Sequence, residues 1–153
     1  MYKRILVPLD GSDFSEVTLP YAEELSERFG SEIILLHVCP PELGAFSHRQ
    51  DVYIEQMARV VKEQLRGEGK VKTIFLVGEP NKEIISYAKG EDISLIAMAT
   101  HGQSGMKRWV LGSTADKVIR ETSKPVLLIR AGVPLAMSGK GMLNKVLVPL
   151  DGS

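Results

Sequence analysis

The chain has 153 residues, 44% of them hydrophobic and 25% charged, the composition of one water-soluble domain with a full core. Lys plus Arg and Asp plus Glu both number 19, so the formal charge is zero and neither nucleic acid nor an anionic membrane is an expected partner. The longest apolar run, Leu95–Ala99, falls far short of the roughly 20 residues of a spanning helix; with no signal-peptide pattern and a single cysteine, the chain is expected in the cytoplasm.

Taken from the N-terminus, the first predicted strand is Arg4 to Leu9, running into Pro8-Leu9-Asp10-Gly11-Ser12. Asp10 at a strand end is a short acceptor for a ribose hydroxyl or a ligand N–H, and reads equally as an Asx turn before Gly11. The first helix places Val17, Tyr21, Leu25 and Phe29 four apart on one face, with Glu16, Glu23, Glu24, Glu27 and Arg28 opposite, and stops at Gly30. Pro20 leaves its start open. The second strand, Glu32 to Val38, carries His37, which reads as a hydrogen-bonded core residue, and Cys39 follows without a second cysteine.

Beyond Pro40-Pro41, Ala45 to Gln50 reads as a surface loop, with a flap over a ligand crevice as the alternative. A helix at about Val52 to Leu65 leads to a strand at Val71 to Val77. The Gly78-Glu79-Pro80 turn then opens a helix at Asn81 to Lys89, followed by a strand at Ile93 to Ala99. The last helix runs from Ser113 to Thr122, halted before Pro125, and the last strand is Val126 to Ile129. Three His and one Cys at positions 37, 48, 101 and 39 match no zinc spacing, so no metal site is expected.

Strand-length apolar runs alternating with helical segments imply an α/β fold: a five-stranded parallel sheet with helices on both faces. Right-handed crossovers then require one reversal across the sheet, and the reversal opens a crevice at the carboxyl ends of two strands. The two chemically unusual loops follow strands one and four. If those strands are neighbours, the order is 3-2-1-4-5 and both loops face one crevice. In the loop after strand four, Gly102, Gly105 and Gly112 offer main-chain access and positive φ, and Ser113-Thr114 open a helix whose free amides suit a phosphate. The plainer alternative is a capping box between Ser113 and Asp116. His101 adjoins this loop and reads either as a phosphate contact or an acid or base, or as loop polarity, which is preferred since no carboxylate or nucleophile is identifiably paired with it. Lys107 and Arg108 read either as screens for phosphate charge or as a solvated pair beside Trp109.

One repeat is evident. Leu6–Ser12 recurs unchanged as Leu147–Ser153. The expected organisation is therefore one domain at 1–130, a linker at 131–143 rich in Gly and small residues, and the first strand of a second, truncated copy at 144–153.

The segments Ile5–Ser12, Leu35-Leu36-His37-Val38, Gly78-Glu79-Pro80, Met98-Ala99-Thr100-His101-Gly102, Gly112-Ser113 and Lys124–Ile129, in this order and spacing, resemble the universal stress protein family over residues 3–130. The resemblance implies the sheet order 3-2-1-4-5, a Rossmann-like fold of the adenine nucleotide alpha hydrolase type, and, in one branch, ATP binding through G-x2-G-x9-G-[ST]. That signature falls on Ala99, Gly102, Gly112 and Ser113, with alanine in place of the first glycine. It implies Pro8, Leu9 and Asp10 beside the nucleoside, Val38 against the adenine, and Gly102, Gly112, Ser113 and Thr114 at the phosphates, with Met98 and Ala99 also in the site. The implied ligand is ATP or AMP, alone or with Mg, and the implied role a regulatory or stress-response module. An exposed apolar edge at Val126–Ile129 is expected to be covered by another copy, in a homodimer or by a tandem repeat of the same chain. Two alternatives stay open: a slow ATPase or phosphotransferase, for which no base is identifiable, and an interaction module without nucleotide, which Ala99 favours.

Overall fold

The computed structural model describes residues 2–42, 47–65, 69–101 and 111–130, with side chains in the second segment from Asp51 onward. Gly102, Gly105, Lys107, Arg108, Trp109, Ala45, the expected linker and the expected second copy all lie outside the described residues. The elements are β1 (Arg4–Leu9), α1 (Asp13–Glu16), α2 (Leu19–Phe29), β2 (Glu32–Cys39), α3 (Ser47–Gln64), β3 (Val71–Val77), α4 (Pro80–Gly90), β4 (Leu95–Ala99), α5 (Ser113–Glu121) and β5 (Val126–Ile129).

All neighbouring strands pair in parallel, in the order β3-β2-β1-β4-β5, the order the sequence reading reached. The period-2 alternation of the strands divides the core into two layers. Ile5, Val7, Leu9, Ile33 and Leu35 face α2 and α3 through Leu19, Ala22, Leu25, Ile54, Ala58 and Val61. Leu6, Ile34, Leu36, Val38, Ile96 and Met98 face α4 and α5 through Ile84, Ile85, Ala88, Ala115 and Val118. Residues of β1 and β2 are thus buried from both sides, which is why those strands show no polar alternation.

Four local expectations are corrected. The first helical region is split: α1 is a single turn capped by Ser12, and Pro20 lies in the first turn of α2, where a missing N–H costs no ladder bond. On α2 the buried positions are Leu19, Ala22, Glu24, Leu25 and Ser26. Phe29, expected inside, is 45% exposed and packs edge-on against Tyr2; Glu24, expected outside, is only 7% exposed and forms a charge-assisted hydrogen bond with Arg28. Helix α3 begins at Ser47, so Ser47–Gln50 are helical rather than loop. Strand β2 continues to Cys39, and β4 begins at Leu95. No helix among the described residues is long and apolar enough to cross a membrane.

Candidate functional site

The chain travels from β1 to β3 on one side of the sheet and then returns to place β4 on the other side of β1. The reversal separates the loops after β1 and β4, and a cavity of about 260 Å³ opens at their carboxyl ends. It is lined by Pro8, Leu9, Asp10, Val38, Met98, Ala99, Gly112, Ser113 and Thr114, so the structure brings together every described residue that the sequence assigned to a site. Gly102 lies outside the described residues.

Strand lengths shape this cavity. Strand β2 pairs with β3 through Cys39 but with β1 only through His37, so Val38 and Cys39 run past the end of β1. Leu36, Val38, Ile84 and Met98 give the cavity an apolar wall, while Asp10, Thr100, His101, Ser113 and Thr114 supply its polar groups.

At the β1 end, Asp10 Oδ1 accepts the Ser12 amide at 3.0 Å and the Ser12 hydroxyl at 2.5 Å, the Asx turn foreseen as one of two readings. Gly11 follows at φ +85°, a left-handed conformation that disfavours any side chain. The Asp10 amide donates to Ser15 Oγ at 3.3 Å, and the Ser15 hydroxyl donates to the Ser12 carbonyl at 2.8 Å, so α1 braces the loop. Tyr53 on α3 donates to Glu16 Oε1 at 3.0 Å. Burial first, then the Glu16 charge, push its phenol above the ordinary tyrosine range.

At the β4 end, Thr100 is fixed on three sides. Its amide donates to the Ile129 carbonyl at 2.9 Å, its carbonyl accepts the Gly112 amide at 2.8 Å, and its hydroxyl lies 3.0 Å from His101 Nδ1. Gly112 has φ −61°, which corrects the expectation of positive φ there. What favours glycine is proximity: a Cβ at this position would sit 3.1 Å from the Thr100 carbonyl oxygen, a tight contact. The capping box is not formed either. Gly112 is the N-cap of α5 with no side-chain bond, and the Asp116 carboxylate instead accepts Arg120 Nε at 3.0 Å. The amides of Ser113 and Thr114 therefore precede the first ladder donor, Asp116, and the positive end of α5 adjoins the cavity.

Several lining residues escaped sequence reasoning: Ser15, Pro40, Pro80 and Ile84 come from α1, the segment after β2 and α4, whereas His101, a candidate from the sequence, also lines the cavity. The Gly78-Glu79-Pro80 turn was a signal for a helix start but not for its position over the crevice. His37 is the buried core residue expected, with Nδ1 2.8 Å from the Leu9 carbonyl and its ring stacked on Phe75. Cys39 is a buried free thiol. Among the described residues, no group of three or more His, Cys, Asp or Glu could hold a metal.

The model of the universal stress protein family matches residues 1–130. A universal stress protein of Methanocaldococcus jannaschii is 31% identical, over 85% of this chain and 96% of the relative. The structure of a universal stress protein from Lactobacillus plantarum aligns with a TM-score of 0.72 at 26% identity, over 84% of this chain and 98% of that one. Two further structures of this fold contain adenylates: a universal stress protein with cAMP, at 21% identity and a TM-score of 0.63, and one from Archaeoglobus fulgidus with dAMP, at 24% and 0.62. They cover 84% and 83% of this chain, and 97% of each neighbour.

Proposed function

Since this chain belongs to the universal stress protein family, we propose that it binds an adenine nucleotide, ATP or AMP, in the crevice between β1 and β4 and acts as a regulatory or stress-response module of the cytoplasm. One observation carries the reading: the described residues that the nucleotide signature and its companion motifs select from distant parts of the chain line one cavity, apolar at one wall and edged by a helix N-terminus. The apolar wall of Val38, Met98 and Ile84 suits a purine. Asp10 stands at the β1 end for the nucleoside, and the amides of Ser113 and Thr114 suit the phosphates. The cAMP and dAMP complexes say of the fold that it can hold an adenylate; for this chain the argument is its own cavity.

Ala99, at the first glycine of the signature, supports a second reading, an interaction module without nucleotide. Small-molecule mass spectrometry on purified protein, with thermal unfolding at millimolar ATP and AMP, tests between the two. Released adenylate or a raised Tm supports the first reading; neither effect supports the second. We propose further that β5 is an interface with a second copy, in a homodimer or within a tandem chain. It is an edge strand with Leu128 38% exposed, and an apolar edge of this kind is stabilised by pairing.

A further inference from the structure

We propose that Tyr53 on α3 is a positioning residue for the nucleoside end of the crevice, tethering both flanks of the Asp10 turn so that the turn is already shaped when the ligand arrives. The proposal rests on the reading of the crevice as an adenine-nucleotide site and adds to it a residue outside the cavity lining.

The turn has little to hold it by itself. Helix α1, which follows it, has only four residues, Asp13–Glu16, whereas an isolated helix shorter than roughly 12 residues is marginal in water. Its N-cap, Ser12, is the residue that bonds Asp10 Oδ1 through both its amide and its hydroxyl. Loosening α1 therefore loosens Asp10. Buried Thr18 donates to the Ser15 carbonyl at 2.7 Å, a bond within the same segment. Tyr53 supplies an anchor from another element: its hydroxyl donates to Glu16 Oε1 at 3.0 Å, across 37 residues of sequence.

The same side chain reaches the other flank. Its ring meets His37 edge-on with centroids 6.0 Å apart, and Phe75 stacks on that imidazole at 5.8 Å. His37 Nδ1 lies 2.8 Å from the carbonyl of Leu9, the residue before Asp10. A carbonyl only accepts, so Nδ1 carries the proton and donates. Tyr53 thus holds Glu16 through its hydroxyl and, through its ring, the imidazole that holds Leu9. Burial first, then the charge of Glu16 and the bond to it, and last the charge of Asp10, keep the phenol protonated, so it remains a donor to the carboxylate.

The experiment is calorimetry with AMP and with adenosine at a temperature where every variant is folded, so that a loss of global stability alone leaves affinity unchanged. Tyr53→Phe keeps the ring against His37 and removes the hydroxyl; it is expected to weaken both ligands roughly fivefold. Glu16→Ala is expected to cost the same, and the double variant no more than either, because the two changes break one bond. Glu16→Gln, which keeps an Oε1 acceptor, is expected to stay within about twofold of the wild type. In an Asp10→Ala background Tyr53→Phe is expected to add nothing, since the contact it positions is gone. In ligand-free protein the Ser15 and Glu16 amides, which donate to the Ser12 carbonyl at 3.0 and 3.4 Å, are expected to exchange faster in Tyr53→Phe. Should Glu16→Ala fail to fold, Tyr53→Phe in the wild-type and Asp10→Ala backgrounds carries the test. Unchanged affinity in Tyr53→Phe, losses that add in the double variant or persist in the Asp10→Ala background, or unchanged amide exchange would each overturn the tether while the nucleotide site stands. Wild-type protein that binds neither ligand overturns the site itself, and the role of Tyr53 with it.

Discussion

The Gly112 amide donates to the Thr100 carbonyl at 2.8 Å, tying the residue before α5 to the residue just past β4. This bond closes the base of the loop between them, and it leaves little room for a side chain at Gly112, where a Cβ would lie 3.1 Å from that carbonyl oxygen. Gly112→Ala is expected to lower stability by about 1 kcal/mol, because the oxygen must give by a few tenths of an ångström. Gly112→Val, adding a branched side chain at the cavity wall, is expected to abolish AMP binding while the far-UV circular dichroism stays that of the folded chain. Wild-type affinity in the valine variant would disprove the assignment of this cavity.

Asp10 serves the turn and the cavity at once, and two substitutions separate the roles. Asn retains the Oδ1 acceptor that takes both Ser12 hydrogen bonds, so Asp10→Asn is expected to unfold within a degree or two of the wild type. Asp10→Ala loses the Asx turn, at about 1 kcal/mol, and is expected to weaken AMP and adenosine alike, since the proposed contact is to the nucleoside. A phosphate-dependent loss would place Asp10 elsewhere along the ligand.

Glu23 on α2 makes stability depend on pH. Burial first, then the charge of Glu27, raise its carboxyl from 4.5 to about 7. The folded state therefore holds this proton more tightly than the unfolded chain. Stability from this group is greatest below about pH 4.5, declines as pH rises, and levels off above about pH 7. Glu23→Gln, neutral at every pH, is expected to raise Tm clearly at pH 8 and barely at pH 4.5. Thermal melts showing the same difference at both pH values would contradict this.

The β5 edge has a solution test. Sedimentation velocity is expected to show dimers that Leu128→Glu converts to monomers, because a carboxylate would be brought into an apolar strand pairing. Dimers that persist in this variant would move the interface off β5.

Much of the architecture was legible because the relevant signals are local. Apolar runs such as Ile33–Leu36 and Val126–Ile129 mark strands through their own composition, and Gly30 and Pro80 punctuate helices through their own backbone preferences. Of the cavity-lining residues, Asp10 and Gly112 to Thr114 stand out through their own turn and helix-start chemistry, whereas Pro8 and Leu9 were implied by the family resemblance. Where reading failed, either the partner was distant in sequence or two local readings competed. Phe29 found Tyr2 from an exposed helix end, and the Asp116 carboxylate took its i,i+4 neighbour Arg120 rather than turning back to Ser113.

The amino-acid sequence by itself thus determined the strands, most of the helices and several stretches that line the cavity, since periodicity and turn chemistry act over a few residues. Only the tertiary structure decided that Gly112 is needed for a close main-chain approach rather than an unusual φ, that Glu24 is buried, and that His101 keeps a buried ring nitrogen beside the cavity. Those properties belong to the space left between packed segments, and that space exists once β4, β5 and α5 have come together.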